Sequence, residues 1–174
     1  MESHQLYETQ RLLLRPSTEE DADMLLALFN SPNWIKYIGD RKVRTLEDAA
    51  KYIRERMRPQ LERFGFSNNT VMRKSDGAKL GCCGLFVREG LQGVDIGYGF
   101  LPQYEGRGYA LEAASRVKLA GIEDFGLREI QGFTSAANFA SQKLLLKLGL
   151  KQDGEISLPG ETEKLLLFKW KLSE

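Results

Sequence analysis

The order of strand-like and helix-like segments in this 174-residue chain predicts an α+β (mixed α/β) fold with one sheet of six to seven strands. Three observations predict it. Helical patterns follow a single short strand over residues 17–59, three strands joined by glycine turns occupy residues 70–101, and helices alternate with strands after residue 108. Strands joined by short turns pair antiparallel, so the sheet should be mostly antiparallel, twisted and flanked by helices.

The N-terminal region predicts one strand and then two helical segments. Arg11–Pro16 is a short apolar run ended by proline, as is typical of a strand. Ser17 and Glu20 match a capping box, which predicts a helix from there to about Asn30. Pro32–Tyr37 predicts a short helical turn, since proline is preorganised for the first turn of a helix.

A further helix is predicted to begin at Thr45. Apolar residues at helical spacing, including Leu46 and Ile53, predict its inward face. Pro59 should end or kink this helix, because proline lacks an amide hydrogen and its ring clashes with the preceding turn.

The middle of the chain predicts an antiparallel meander. Its three strands are expected at Thr70–Arg73, Lys79–Arg88 and Val94–Leu101. The segments between them, Ser75–Gly77 and Gly90–Gly93, contain the glycine and aspartate that tight turns favour.

The last third predicts a helix, a strand, a second helix and a final strand. After the first helix stops near Phe125 and Gly126, the expected elements are a strand at Glu129–Thr134, a helix at Asn138–Leu148 and a strand at Thr162–Leu172.

Composition indicates a soluble globular protein, and the length fits one domain over residues 1–174. Hydrophobic residues make up 42% of the chain, charged residues 28%, and the net charge is +1. Without a basic excess, no nucleic-acid partner is predicted. No apolar run is long enough to cross a membrane and Met1–Gln10 is polar, so we expect a cytoplasmic protein that is a monomer or a homodimer.

The cysteines and the histidine indicate neither a disulfide nor a metal site. Cys82 and Cys83 are adjacent, and neighbours in a strand point to opposite faces, so they should be reduced thiols. Metal binding is not expected, because this pair lacks ligand spacing and the single histidine, His4, stands near the N-terminus.

The segment QYEGRGYALEAA, from Gln103 to Ala114, places two glycines directly before an alanine-rich helix. Glycine costs about 1 kcal/mol relative to alanine inside a helix, so Gly106 and Gly108 need another reason. A Walker loop needs Gly-Lys-Ser/Thr, and a dinucleotide fingerprint needs a small residue where Leu111 stands, so neither matches. What remains is a strand-to-helix turn whose free amides suit a pyrophosphate, or else a tight turn without a ligand.

The hexapeptide QYEGRG matches the Gln/Arg-x-x-Gly-x-Gly/Ala signature of the GNAT superfamily of N-acetyltransferases. The chain resembles that superfamily over nearly its whole length. The other matching segments, in order, are TQRLLLRPSTEEDADMLLALFNSPNWIKYIG, VDIGYGF and NFASQKLLLKLGLKQDG. The opening segment and the spacing most resemble the RimJ/RimL-type subgroup, which includes ribosomal-protein alanine N-acetyltransferases.

The resemblance implies a sheet that splays between its fourth and fifth strands, here VDIGYGF and Glu129–Thr134. Acetyl-CoA would place its pantetheine arm in that gap and its pyrophosphate on the glycine turn. The implied cofactor-binding residues are Ile96, Tyr98, Gln103, Gly106, Arg107, Gly108, Tyr109, Ala110 and Asn138. Arg107 could instead be a solvated surface cation, and Asn138 could be a plain helix N-cap.

Gly97 and Gly99 interrupt an otherwise apolar strand. Glycine weakens a strand unless a bulge or a closely approaching chain needs the room. The resemblance implies that the pantetheine arm needs it; a bend of the sheet is the alternative.

Direct acetyl transfer to an amine, which the resemblance implies, needs a base, a donor for the developing oxyanion and a donor for the leaving thiolate. Asp95 is the candidate base, through a water relay because many relatives carry the longer glutamate. Ser141 stands where the subgroup carries serine and is the candidate donor to the thiolate. The alternatives are a solvent-facing strand residue and a helix-surface serine. A free amide beside a bulge at Ile96 to Tyr98 is expected to bind the oxyanion.

Trp34 and Tyr37 lie in the segment that lines the acceptor side in the family, so they are candidate substrate-binding residues unless they belong to the core. Tyr98 and Tyr104 are alternatives for proton transfer. The implied function is an acetyl-CoA-dependent N-acetyltransferase acting on a protein N-terminus or a small amine. A catalytically idle acyl-CoA-binding module and a nucleotide-phosphate binder remain open alternatives.

Overall fold

A computed structural model describes residues 5–174, in which eight strands form one sheet of order β1-β2-β3-β4-β5-β6-β8-β7. Neighbouring strands pair antiparallel except β5 and β6, which are parallel. His4 lies outside the described residues. The strands are β1 Tyr7–Glu8, β2 Leu12–Pro16, β3 Asn68–Arg73, β4 Lys79–Phe86, β5 Asp95–Phe100, β6 Glu129–Thr134, β7 Lys151–Ile156 and β8 Leu165–Lys171.

Helices pack on both faces of the sheet over two apolar clusters. One cluster joins the sheet to the helices at Tyr109–Glu123 and Phe139–Lys147 and includes Cys83, and the other joins it to the helices at Ala22–Phe29 and Leu46–Tyr52 and includes Cys82. Both cysteines are buried free thiols on opposite faces, as their adjacent positions predicted. The helices are α1 Ala22–Phe29, α2 Pro32–Tyr37, α3 Leu46–Tyr52, α4 Arg58–Phe64, α5 Tyr109–Glu123 and α6 Phe139–Lys147, with 3-10 turns at Glu19–Asp21 and Pro102–Tyr104.

This architecture confirms the predicted fold with its mostly antiparallel sheet, but the sheet has eight strands rather than six to seven. The two additional strands are β1 and β7. β1 has only two residues, and five of the six residues of β7 are exposed. Neither segment therefore shows the apolar alternation from which a strand is predicted.

Pro59, which was expected to end or kink the helix, does not end the helical run but follows an irregular turn in it. A π-helical turn at Ile53–Met57 joins α3 to α4, and the helical run continues to Gly65, whose φ of 83° ends it. In the π turn the Arg58 amide donates to the Ile53 carbonyl, five residues back. This wider turn accommodates a proline ring that would clash with the carbonyl four residues before it in a regular helix. Leu46, expected on the inward face, is 56% exposed.

The first helical region is capped by Thr18 rather than by the predicted pair of Ser17 and Glu20. The Thr18 amide donates to the Asp21 carboxylate at 2.9 Å. Asp21 is fully buried, and Arg15 donates to both of its oxygens at 2.7 and 2.8 Å. Burial alone would raise the pKa of the Asp21 carboxyl, but these hydrogen bonds, with others from Thr70 and Lys79, lower it to about 2.

We expect Asp21→Asn to lower the free energy of unfolding by about 3–5 kcal/mol, because the change removes a fully buried carboxylate from two partly buried cationic partners. The depressed pKa gives about 2 kcal/mol of stability that is present above pH 4 and is lost as the pH falls toward 2. Urea unfolding at several pH values measures both effects. Asp153→Asn, an exposed carboxylate on β7, is the matched control and should change stability by less than about 0.5 kcal/mol. Equal urea midpoints for the two variants would contradict the assignment.

Strands β5 and β6 diverge almost at once. Their pairing includes a single residue pair, Asp95 with Gln131, supported by a hydrogen bond from the Gln131 amide to the Val94 carbonyl at 2.9 Å. Beyond it the two strands separate. This confirms the splay predicted between the fourth and fifth strands of the sequence analysis, which are β5 and β6 of the structure. The gap between them opens toward the glycine turn at the start of α5.

Residues 5–174 contain neither a membrane-spanning helix nor a cluster of metal-ligating side chains. No helix in that range is both long and apolar enough to span a bilayer. Nor do three or more His, Cys, Asp or Glu side chains gather there in a group that could hold a metal ion.

Candidate active site

Two cavities flank the splay. The first, which we call the loop cavity, has a volume of about 670 Å³ and lies between the glycine turn, α2 and α6. The second, which we call the acceptor cavity, has a volume of about 410 Å³ and lies next to residues 95–98 of β5, whereas the loop cavity lies next to residues 98–100. Both volumes fall in the range of small-molecule sites. Six residues line both cavities: Trp34, Tyr37, Ile38, Tyr98, Asn138 and Ser141.

The glycine loop, residues 103–108, forms one end of the loop cavity. Gly106 and Gly108 have φ values of 73° and 80°, a region that L side chains disfavour, and a Cβ built on Gly106 meets nothing within 4 Å. Gly108 is the N-cap of α5. Within residues 5–174 the amides of residues 106–108 have no hydrogen-bond acceptor. Free amides at the positive end of a helix form a cradle for an anion.

The outer side of this loop is fixed by Arg11. Its Nη1 donates to the Arg107 carbonyl at 3.0 Å and its Nε to Glu112 at 3.0 Å, while its guanidinium lies 4.4 Å from the centre of the Tyr109 ring. These contacts join the residue before β2 to the glycine loop and the first turn of α5, and they support the cradle from outside the cavity.

The structure brings most, but not all, of the predicted cofactor residues to the loop cavity. Tyr98, Gly106, Gly108, Tyr109, Ala110 and Asn138 line it. Ile96 lines the acceptor cavity instead. Gln103 and Arg107 are exposed and line neither cavity, so their side chains lie outside the cradle that their backbone helps to form.

Tyr98 and Ser141 meet where the two cavities join. Their hydroxyl oxygens are 2.7 Å apart, and the Tyr98 hydroxyl also donates to the Ser141 carbonyl at 3.2 Å. Burial raises the pKa of the Tyr98 phenol, with the hydrogen bond to Ser141 opposing it, so this hydroxyl remains protonated. Asn138 accepts the Ser141 amide at 3.2 Å and is therefore an N-cap, one of the two roles the sequence left open.

Asp95 lies in the acceptor cavity and is 3% exposed. Its Oδ1 accepts from Arg88 Nε at 2.9 Å. Burial raises the pKa of the Asp95 carboxyl and the neighbouring Arg88 charge lowers it, with a net rise. A carboxyl with a raised pKa, beside a cavity, is a common feature of catalytic bases.

Two expectations about β5 are corrected. β4 and β5 pair without a register shift from Gly81 and Phe100 to Phe86 and Asp95, so there is no bulge at residues 96–98. The space at Gly97 and Gly99 is filled by aromatic rings: Cβ atoms placed there would lie 2.9 Å from Phe86 and 2.5 Å from Trp34. Ring packing within the chain therefore requires both glycines.

The splay itself provides the free amides that a bulge was expected to provide. The Leu101 amide donates to the Leu80 carbonyl on β4 at 2.9 Å. Successive amides along a strand point in alternate directions. The amides of Gly99 and Gly97 consequently face β4, whereas those of Tyr98 and Phe100 face the gap, where β6 has already diverged.

The acceptor cavity also includes residues that the sequence did not single out, among them Arg41, Arg88 and Glu161. They come from the α2–α3 loop, the β4–β5 connection and the β7–β8 connection, and no motif links them.

Lys143 and Lys147 line the loop cavity and were also missed. Their spacing of four residues on α6 places them on one face of the helix, and this spacing could have been recognised in the sequence.

Comparison with known proteins identifies the family. Residues 11–151 match the family model described as an acetyltransferase (GNAT) domain. The chain belongs to the GNAT acetyltransferases. YoaA of Bacillus subtilis (strain 168), an uncharacterized N-acetyltransferase, is 29% identical over 150 residues, which are 86% of this chain and 84% of that protein. YnaD of the same organism, also an uncharacterized N-acetyltransferase, is 27% identical over 146 residues, 84% of this chain and 82% of that protein.

Solved GNAT structures share the fold at lower identity. A GNAT-family acetyltransferase from Bacillus anthracis superposes with a TM-score of 0.79 at 22% identity, covering 96% of this chain and 98% of that one. RimL, a ribosomal L7/L12 α-N-protein acetyltransferase in complex with coenzyme A, gives 0.81 at 15% identity, covering 97% and 98%. This GNAT protein is thus an N-acetyltransferase, which transfers acetyl from acetyl-CoA to an amine.

Proposed function

We propose that this GNAT protein transfers acetyl directly from acetyl-CoA to a primary amine while both substrates are bound, as in the RimJ/RimL-type subgroup. The single observation that carries the proposal is that two cavities, one along each half of β5, meet at the Tyr98 and Ser141 hydroxyls. Separate cavities with a common wall can hold the donor and the acceptor together, so that no acyl-enzyme is needed.

The loop cavity fits acetyl-CoA. The amides of residues 106–108 and the positive end of α5 would hold its diphosphate, and Lys143 and Lys147 add positive charge along the same wall. When bound there, acetyl-CoA supplies an activated acetyl thioester. The Tyr98 amide, which faces the splay, would donate a hydrogen bond to the thioester carbonyl oxygen as that oxygen gains negative charge during transfer.

Asp95 is the group that we assign to deprotonation of the amine. An alkylammonium has a pKa near 10 and no lone pair, so it must lose a proton before it can react. Asp95 lines the acceptor cavity but not the loop cavity, which suits a group that acts on the acceptor. Because its side chain is short and held by Arg88, we propose that a water molecule relays the proton to it.

We assign the leaving thiolate to the Tyr98 and Ser141 pair. Each of Tyr98→Phe and Ser141→Ala should lower kcat by roughly 10- to 100-fold, the lower part of the range for proton donors, because a thiolate is a stable leaving group. Steady-state thiol release measures this. Since the two hydroxyls act as one hydrogen-bonded unit, the double variant should lose little more than the worse single variant. Ser157→Ala, an exposed serine, is the control, and independent, multiplying losses would contradict the assignment.

The experiment that tests the function itself is incubation of the protein with acetyl-CoA and a panel of amines and N-terminal peptides, followed by measurement of free thiol and of acetylated product. Stoichiometric thiol and product with at least one acceptor is expected. Binding of coenzyme A without transfer to any amine would contradict the proposal.

A further inference from the structure

One arginine in the acceptor cavity has no counterion. Arg41 lines this cavity, and its Nε is buried without a hydrogen-bond partner among residues 5–174. Within that range no carboxylate pairs with it, whereas Arg88 pairs with Asp95 across the same cavity. A buried charged donor without an acceptor is costly, so such a group in a cavity wall points to a ligand that completes it.

The loop that carries Arg41 is held in one conformation. Lys42 has a φ of 57°, the one left-handed φ of a non-glycine residue within residues 5–174. The Asp40 carboxylate stabilises it by accepting the Lys42 amide at 2.7 Å and by pairing with Arg44 at 2.5 Å. Asn30 holds the other side of the loop through the Val43 carbonyl at 2.8 Å. Arg41 is therefore held against the cavity wall by its own loop.

The chemistry of the other cavity residues limits the chemical class of ligand that can bind there. Trp34 lines the same cavity, and its Nε1 is a second buried donor without an acceptor among the described residues. Both donors suit a ligand with acceptor oxygens, and a guanidinium matches a carboxylate in a bidentate manner. Glu89, Glu161 and Glu163 also line the cavity but are exposed, so solvent and salt weaken their repulsion of an anion.

We propose that the acceptor is a small amine that also carries a carboxylate, such as an α-amino acid, and that Arg41 binds this carboxylate. The inference rests on the proposed function and specifies its substrate class. The acceptor's ammonium would face Asp95, and its carboxylate would face Arg41. The cavity is also lined by rings and aliphatic groups, including Phe29, Tyr52 and Met57, which suit an apolar side chain, and about 410 Å³ holds a molecule of that size.

Matched pairs of acceptors test this directly. Leucine should be acetylated with a kcat/KM about 10- to 100-fold above that of leucinamide, the ratio expected from one hydrogen bond between charged groups. Arg41→Gln should remove this preference, and Arg41→Lys should restore part of it. Lys42→Asn is the control, because it removes a neighbouring positive charge outside the cavity and asparagine tolerates a left-handed φ. An equal rate for both acceptors, a faster reaction with putrescine, or equal losses on both acceptors in Arg41→Gln would overturn the inference.

A binding measurement separates this inference from the proposed function. Calorimetric titration of the coenzyme A complex with N-acetylleucine and with N-acetylleucinamide needs no turnover. Tighter binding of the carboxylate that depends on Arg41 supports the subsite even if no amine is acetylated, an outcome that would overturn only the proposed function. Equal binding of the two ligands, together with transfer to other amines, overturns only the inference.

Discussion

Gly106→Glu should weaken acetyl-CoA binding by at least about 100-fold, because like charges placed together cost several kcal/mol and each 1.4 kcal/mol is tenfold. The cradle of amides at residues 106–108 is open, since a Cβ on Gly106 meets nothing within 4 Å. A glutamate there would extend into the space reserved for the diphosphate with the same sign of charge. Isothermal titration of the ligand-free protein measures the effect.

The control for this variant is Gly77→Glu. Gly77 also has a left-handed φ, 72°, and open space around its Cβ, but it lies in the β3–β4 turn and lines neither cavity. The two variants thus carry the same backbone strain and the same added charge. Full acetyl-CoA affinity in Gly106→Glu, or an equal loss in both variants, would contradict the cradle.

Asp95→Asn should lower kcat by about 10²- to 10⁴-fold, the range for loss of a general base, and leave acetyl-CoA affinity unchanged. Asparagine keeps the shape of the side chain and can still accept from Arg88, so packing is preserved. In the wild type, kcat/KM should fall as the pH drops through the raised pKa of Asp95, because protonation removes the base. This acidic limb should be absent in the variant.

Arg88→Gln tests the same assignment through the pKa. The Arg88 charge lowers the pKa of Asp95 against the effect of burial, so its removal should raise that pKa further and move the acidic limb to higher pH. Glu129→Gln, which removes a carboxylate paired with Lys169 on the sheet, is the control and should leave the profile unchanged. An acidic limb that persists in Asp95→Asn would show that another group is the base.

The parts of the fold that could be predicted from the sequence are those set by neighbouring residues, through backbone conformation or an apolar pattern. The glycine loop could be located because left-handed φ values at Gly106 and Gly108 require glycine, and the splay followed from the resemblance that this loop established. Strand β7 could not be predicted, because an exposed strand at the sheet edge depends on pairing with β8 rather than on its own apolar pattern.

Residues of the candidate site could be predicted from the sequence only where they belong to a motif. The Tyr98 and Ser141 contact joins residues 43 positions apart, and the sequence proposed both without placing them together. Arg41 became visible only when folding placed its loop against the acceptor cavity without a counterion. The reason for Gly97 and Gly99 is likewise a tertiary one, since Phe86 and Trp34 fill the space that we expected a ligand to fill.

The most direct test of the central claim is a calorimetric comparison of acetyl-CoA with acetyl-pantetheine, which has the same thioester and arm but no diphosphate or nucleotide. If the amides of residues 106–108 hold a diphosphate, the ligand-free protein should bind acetyl-CoA at least about 100-fold more tightly. In Gly106→Glu this difference should largely disappear. Equal affinity of the wild type for both ligands, or no binding of acetyl-CoA at millimolar concentration, would contradict the account.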